Sequence, residues 1–184
     1  MRLKDLSNHD MTDEQRRVVQ EAVAGKRGHM PAPMRAWIYN PALAERAQKL
    51  GEFVRYDTHL GPKLSELAIL VVARFWTAHF EWYVHKKEAL KAGLDPQIIE
   101  SIRLRQQPVF ADQHEKIIYV YTIMLLNERQ IPQALHDEAI AVLGVEGTVD
   151  LVGVVGYYGF VAMTLNAFAF ELPDGAIYEL NQTT

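Results

Sequence analysis

Cysteine is absent from all 184 residues. That excludes disulfides, thiolate metal sites and any thiol nucleophile. No apolar run opens the chain: MRLKDLSNHD does not read as a secretory leader. Neither charge dominates. A net charge of −4 gives no general attraction to nucleic acid. No segment alternates apolar and polar residues with a period of two, so no sheet is expected. Linkers and low-complexity tracts are also missing. What is there is ordinary for a globular chain, 49% hydrophobic and 23% charged, with enough length for one buried core. The reading is a single domain over 1–184 in a cytoplasmic protein.

The punctuation is helical throughout. Thr12 with Gln15 reads as a capping box, opening a helix that Gly25 or Gly28 closes. A stiff loop with Pro31 and Pro33 follows. Asn40-Pro41 reads as N-cap and first helical residue, and Gly61-Pro62 starts the next helix. Gly93 ends that region and Asp95-Pro96 opens a short helix. Asp112 and Glu115 cap a helix running to about Glu128. Pro132 starts another that Gly144 ends, and a last long helix follows Thr148. The tail, 171–184, holds an Asp-Gly turn and reads as surface. The fold class is therefore all-α, a helical bundle.

Residues 148–170 are long and apolar enough to span a bilayer. Asp150, Asn166 and the lack of flanking basic residues favour instead the centre of a soluble bundle, with no membrane partner. Gly153, Gly156, Gly159 and Ala162 recur every three residues, a spacing that lets another helix approach closely.

The segment that carries chemistry is SELAILVVARFWTAHFEWYVHKKEALKAGL, 65–94. On one straight helix Glu66 and His85 would stand roughly 28 Å apart and could not touch. A turn between about 74 and 79 would fold the first half back on the second. Phe75, Trp76 and Thr77 are poor helix formers, and Thr77 can act as an N-cap. Glu81 and His85, at i and i+4, share a face, and Trp82 at i−3 can flank the imidazole. A carboxylate beside an imidazole suits proton transfer near neutral pH. The same pair also reads as a solvated surface contact, and Trp82 as core. His79, Glu81 and His85 could be metal ligands. His79 and His85 do not share a helical face, however, so no metal site is expected.

These residues resemble the carboxymuconolactone decarboxylase family, whose fold is that of the alkyl hydroperoxidase D-like proteins. The likeness lies in Glu66, the ILVVA after it, HFEWYVH and KAGL, within a core motif at 62–94. Weaker likeness extends to the proline-rich loop near 31–41 and to YYGFVAMTLNAF. In the peroxidase branch of that family, a Cys-x-x-Cys pair stands where this chain has Ala78 and Glu81. Glu81-Trp82 before His85 looks closer to the decarboxylase branch. A thiol–disulfide peroxidase cycle needs two thiols, and this chain has none.

The resemblance implies an all-α subunit that assembles into a homotrimer or homohexamer. It implies a cofactor-independent acid–base enzyme, decarboxylase-like, acting on a small carboxylated lactone or related ring or keto acid in aromatic-compound catabolism. His85 would be the proton donor or oxyanion partner, and Glu66 and Glu81 would orient and tune it. Trp82 and His79 would contact substrate, and Arg74 would clamp its anion, unless another lysine or arginine does. The alternative is a small-molecule-binding or assembly protein on the same scaffold that performs no reaction.

Overall fold

The structure, a computed structural model, describes residues 1–180; the last four residues of the expected tail lie outside them. Among the described residues there are eight helices and no strand. They are α1 (Asp13–Ala24), α2 (Met34–Trp37), α3 (Pro41–Tyr56), α4 (Gly61–Phe75), α5 (His79–Lys91), α6 (Pro96–Arg103), α7 (Gln113–Glu128) and α8 (Gln133–Ala167).

The caps read from sequence hold these starts. Thr12 and Gln15 form a reciprocal capping box at α1. Asn40, Asp95 and Asp112 accept backbone N–H groups at α3, α6 and α7. Gly144, at φ 74°, does break the helical dihedrals. The chain resumes its helix at once rather than after Thr148, so α8 is kinked and not ended there. Thr148 Oγ1 donates to the Gly144 carbonyl at 2.8 Å across the kink.

The centre of the bundle is α4. Every residue from Ser65 to Arg74 is buried. Only a helix surrounded on all sides behaves so, and α4 packs against α3, α5, α6, α7 and α8. Each fully buried leucine, isoleucine or valine there contributes about 1.5–3 kcal/mol.

That placement corrects the expectation for α8. It buries one face, with Leu151, Val154, Tyr158, Ala162 and Leu165 inward. Its other face is open: Val145, Val149, Val152 and Met163 are exposed. The helix is long and apolar enough to cross a membrane, yet one side of it is packed into the bundle. Gly153 and Gly156 lie on the open side, with no close neighbour in this chain at Gly156. The close approach falls instead at Gly51 on α3, where an added Cβ would sit 2.0 Å from the Tyr157 hydroxyl.

The tail is also less free than its composition suggests. Leu180 is buried, and Glu179 accepts from Trp82 Nε1 at 3.1 Å and from Lys86 Nζ at 2.6 Å. Tyr178 and Glu179 thus hold this stretch against the outer side of α5.

Candidate active site

The break between α4 and α5 falls where the sequence put it, by a different device. Thr77 caps nothing with its side chain; it takes the left-handed conformation, φ 48°. The Ala78 N–H donates to the Ala73 carbonyl at 2.8 Å and the Thr77 N–H to that of Arg74 at 3.2 Å. This is a Schellman turn with threonine in the place glycine usually takes. It reverses the chain and lays α5 along α4.

The reversal brings Glu66 to His85. Nδ1 of the imidazole donates to Glu66 Oε2 at 2.6 Å, and both side chains are only 7% exposed. A carboxylate so close fixes the proton on Nδ1 and leaves Nε2 as the basic nitrogen. Tyr158 of α8 meets the ring edge-on, centroids 4.9 Å apart, and so holds its tilt.

His85 lines a cavity of about 370 Å³, closed on one side by the loop with Pro31 and Pro33. Glu81, Arg27, Arg55, Tyr157 and Tyr158 line it too. Glu81 is 2% exposed, and neither carboxyl oxygen has a hydrogen-bond partner within the protein. Burial first, and then the nearby Glu66 carboxylate, push its carboxyl well above the ordinary range. Burial pushes Tyr157 up to about 12 and Tyr158 higher still, so both phenols stay neutral.

The two arginines supply positive charge. Arg27 donates from Nη2 to the Gly51 carbonyl at 2.7 Å, while its buried Nε has no partner. Arg55 lies 3.6 Å from Glu88 and stays half-buried. A third arginine of the lining, Arg35, is already paired with Asp5. The cavity therefore holds a base, a buried carboxyl, two neutral phenols and two cations within apolar walls.

Four of the residues named from sequence do not line it, and Glu66 acts on it only through His85. Trp82 is buried on the other side of α5, bonded to Glu179, and Tyr158 takes the place beside the imidazole. His79 packs edge-on against Tyr178, 5.0 Å between centroids. Burial, then Arg74, hold it below the usual histidine range. Arg74 donates to the Arg103 carbonyl at 2.7 Å and to Thr77 at 3.4 Å, tying the α4 turn to the end of α6. Among the described residues no group of three histidine, aspartate or glutamate side chains could hold a metal ion.

Arg27, Arg55, Tyr157 and Tyr158 were missed. Each lies outside the segment 65–94. The adjacent tyrosines in YYGF, polar tips inside an apolar helix, were the available signal.

Residues 41–115 match the family model described as carboxymuconolactone decarboxylase family. They include Glu66, Glu81 and His85. An uncharacterized peroxidase-related protein from Silicibacter sp. TM1040 has a similar structure, with a TM-score of 0.74 and 16% identity. The likeness covers 99% of this chain and 94% of that one, and at such identity it is a likeness of fold. No curated protein matches in sequence. Residues 41–115 are thus similar to the carboxymuconolactone decarboxylase family, and the all-helical fold is shared over nearly the whole chain with that peroxidase-related protein.

Proposed function

We propose that the cavity is the active site of a cofactor-independent, decarboxylase-like enzyme for a small carboxylated lactone or related ring or keto acid. The observation that carries this reading is the buried Glu66–His85 pair at 2.6 Å, with the second ring nitrogen left for the cavity. A base held that way takes up a proton at Nε2. Arg27 and Arg55 offer the substrate carboxylate a counter-charge, in place of Arg74. Tyrosine and valine walls exclude water around the ring. A thiol-based peroxidase cycle finds no thiol here.

A cytoplasmic location and a part in aromatic-compound breakdown go with this reading. So does self-assembly into a trimer or hexamer, supported by the open apolar face of α8. Light scattering that gave the mass of one 21.0 kDa chain at micromolar concentration would count against assembly.

The test of function is release of carbon dioxide from a panel of lactone and keto acids. His85→Gln should fold and assemble as the parent does and lose about 10²- to 10⁴-fold in rate. Equal turnover by His85→Gln would reduce His85 to a packing residue. Tight binding of those acids without any release would favour a binding protein.

A further inference from the structure

We infer that Glu81 is the acid that protonates the substrate carbon in this cavity, an assignment that rests on the decarboxylase reading above.

Few groups in the cavity have a proton to give. His85 has committed its Nδ1 proton to Glu66 and presents a lone pair at Nε2. In that arrangement the imidazole is placed to accept a proton from the cavity rather than to offer one. The phenols of Tyr157 and Tyr158 are pushed far above neutrality and are poor acids. Arg27 and Arg55 do not release protons. His29 is exposed, with Nδ1 2.7 Å from the Arg27 carbonyl, so Glu81 is the buried group that remains.

Its surroundings distinguish it from the other buried carboxylates. Glu66 accepts from His85, and Glu115 is paired with Lys63 at 2.7 Å. Glu81 is as deeply buried as either, and both its oxygens stand unpartnered beside the cavity. An ionised carboxylate there would lack any compensating donor. The neutral acid fits, with one O–H to donate and one carbonyl oxygen to accept.

The charged and titratable groups around it agree. Glu66 of α4 is a nearby negative charge that opposes ionisation. His85 of α5 and the tyrosines of α8 add no cation while neutral. The positive charges facing the same cavity are Arg35 of α2, already paired with Asp5, and Arg55 of α3 and Arg27 after α1, the two that a substrate carboxylate would occupy; His29 of the loop after α1 lines it too. The structure thus separates base from acid one helical turn apart, His85 Nε2 and Glu81 O–H.

The step balances. The bond from ring carbon to carboxylate breaks, carbon dioxide leaves, and the bonding pair passes into the conjugated carbonyl as an enolate. The enolate carbon then takes the Glu81 proton: a C–H bond forms, the O–H bond breaks, and its electron pair stays on Glu81 as carboxylate. Water returns the proton to Glu81 before the next turnover. No oxidant or reductant is required.

Infrared spectroscopy of the parent at pH 7 should show the carbonyl stretch of a neutral carboxylic acid, absent from Glu81→Gln and kept in Glu81→Asp. Carbon dioxide release from the best lactone acid of the panel should fall about 10²- to 10⁴-fold in Glu81→Gln and by less in Glu81→Asp. Absence of that band in the parent overturns the assignment and leaves the decarboxylase reading standing. So does a band that is present together with unchanged turnover by Glu81→Gln. A parent that releases no carbon dioxide from any acid of the panel, band or no band, overturns the reading and this role with it.

Discussion

The Glu66–His85 contact can be tested without any substrate, through stability. It joins α4 to α5 across the Thr77 turn, and both partners are buried. Replacing His85 by leucine strands a buried carboxylate, a change that typically costs about 3–5 kcal/mol. Replacing Glu66 by leucine leaves the Nδ1–H without an acceptor, at about 1–3 kcal/mol. Replacing both removes the polar groups together and puts two apolar side chains of similar volume in their place. The double variant should be no less stable than His85→Leu alone, and the two single losses should exceed the double loss by about 2 kcal/mol. Urea unfolding of the four proteins at pH 7 measures this directly. If the single losses add to within about 0.5 kcal/mol, the two side chains are independent. The oriented imidazole that the proposed function needs would then be gone.

Arg55→Met should raise KM for an anionic substrate far more than it lowers kcat, and titration calorimetry with the same acid should show the lost affinity. Thr77→Gly should raise stability by about 1 kcal/mol, because a β-branched residue at φ 48° carries strain that glycine does not; a lower melting temperature would mean the Thr77 hydroxyl contacts outweigh the strain. The pH dependence of Glu81 has a definite sign. Its carboxyl lies above the usual 4.5 in the folded protein, so the folded state keeps a proton that the unfolded chain gives up. The stability this contributes is complete below about pH 4.5 and is lost as pH rises toward the folded value. Urea midpoints at pH 5 and pH 8 should therefore fall less steeply in Glu81→Gln than in the parent.

Most helix starts were legible because their caps are local chemistry. Thr12, Asn40, Asp95 and Asp112 each act within three residues, and a short window of sequence contains the whole device. The α4–α5 reversal was legible for an indirect reason, since two side chains 28 Å apart on a straight helix need a bend to cooperate. How the bend is made was not legible. A left-handed threonine is disfavoured by local propensity and exists here because packing on both sides holds it. The side chains around the cavity were half legible. Glu81 follows from helical periodicity, while Tyr158 is a neighbour only after α8 docks. Arg74 and Arg55 look alike in sequence. The first ends at a backbone carbonyl and the second beside the cavity, a difference set by which helices pack against them. The centre of the bundle was assigned to the longer apolar helix because burial on all sides and a wide open apolar face leave the same composition.

The distribution of the cavity along the chain has a consequence for how the protein is made. His85 and Glu81 emerge from the ribosome well before Tyr157 and Tyr158, and Glu179, which pins the outer side of α5, comes near the very end. During synthesis the segment 41–115 is complete while the helix that closes its site is still untranslated. For that interval α4, the helix buried on every side in the finished fold, has no α8 to cover it. The nascent chain therefore passes through a stage in which its own centre is open to water, and holdase chaperones that grip apolar helices would find their target there.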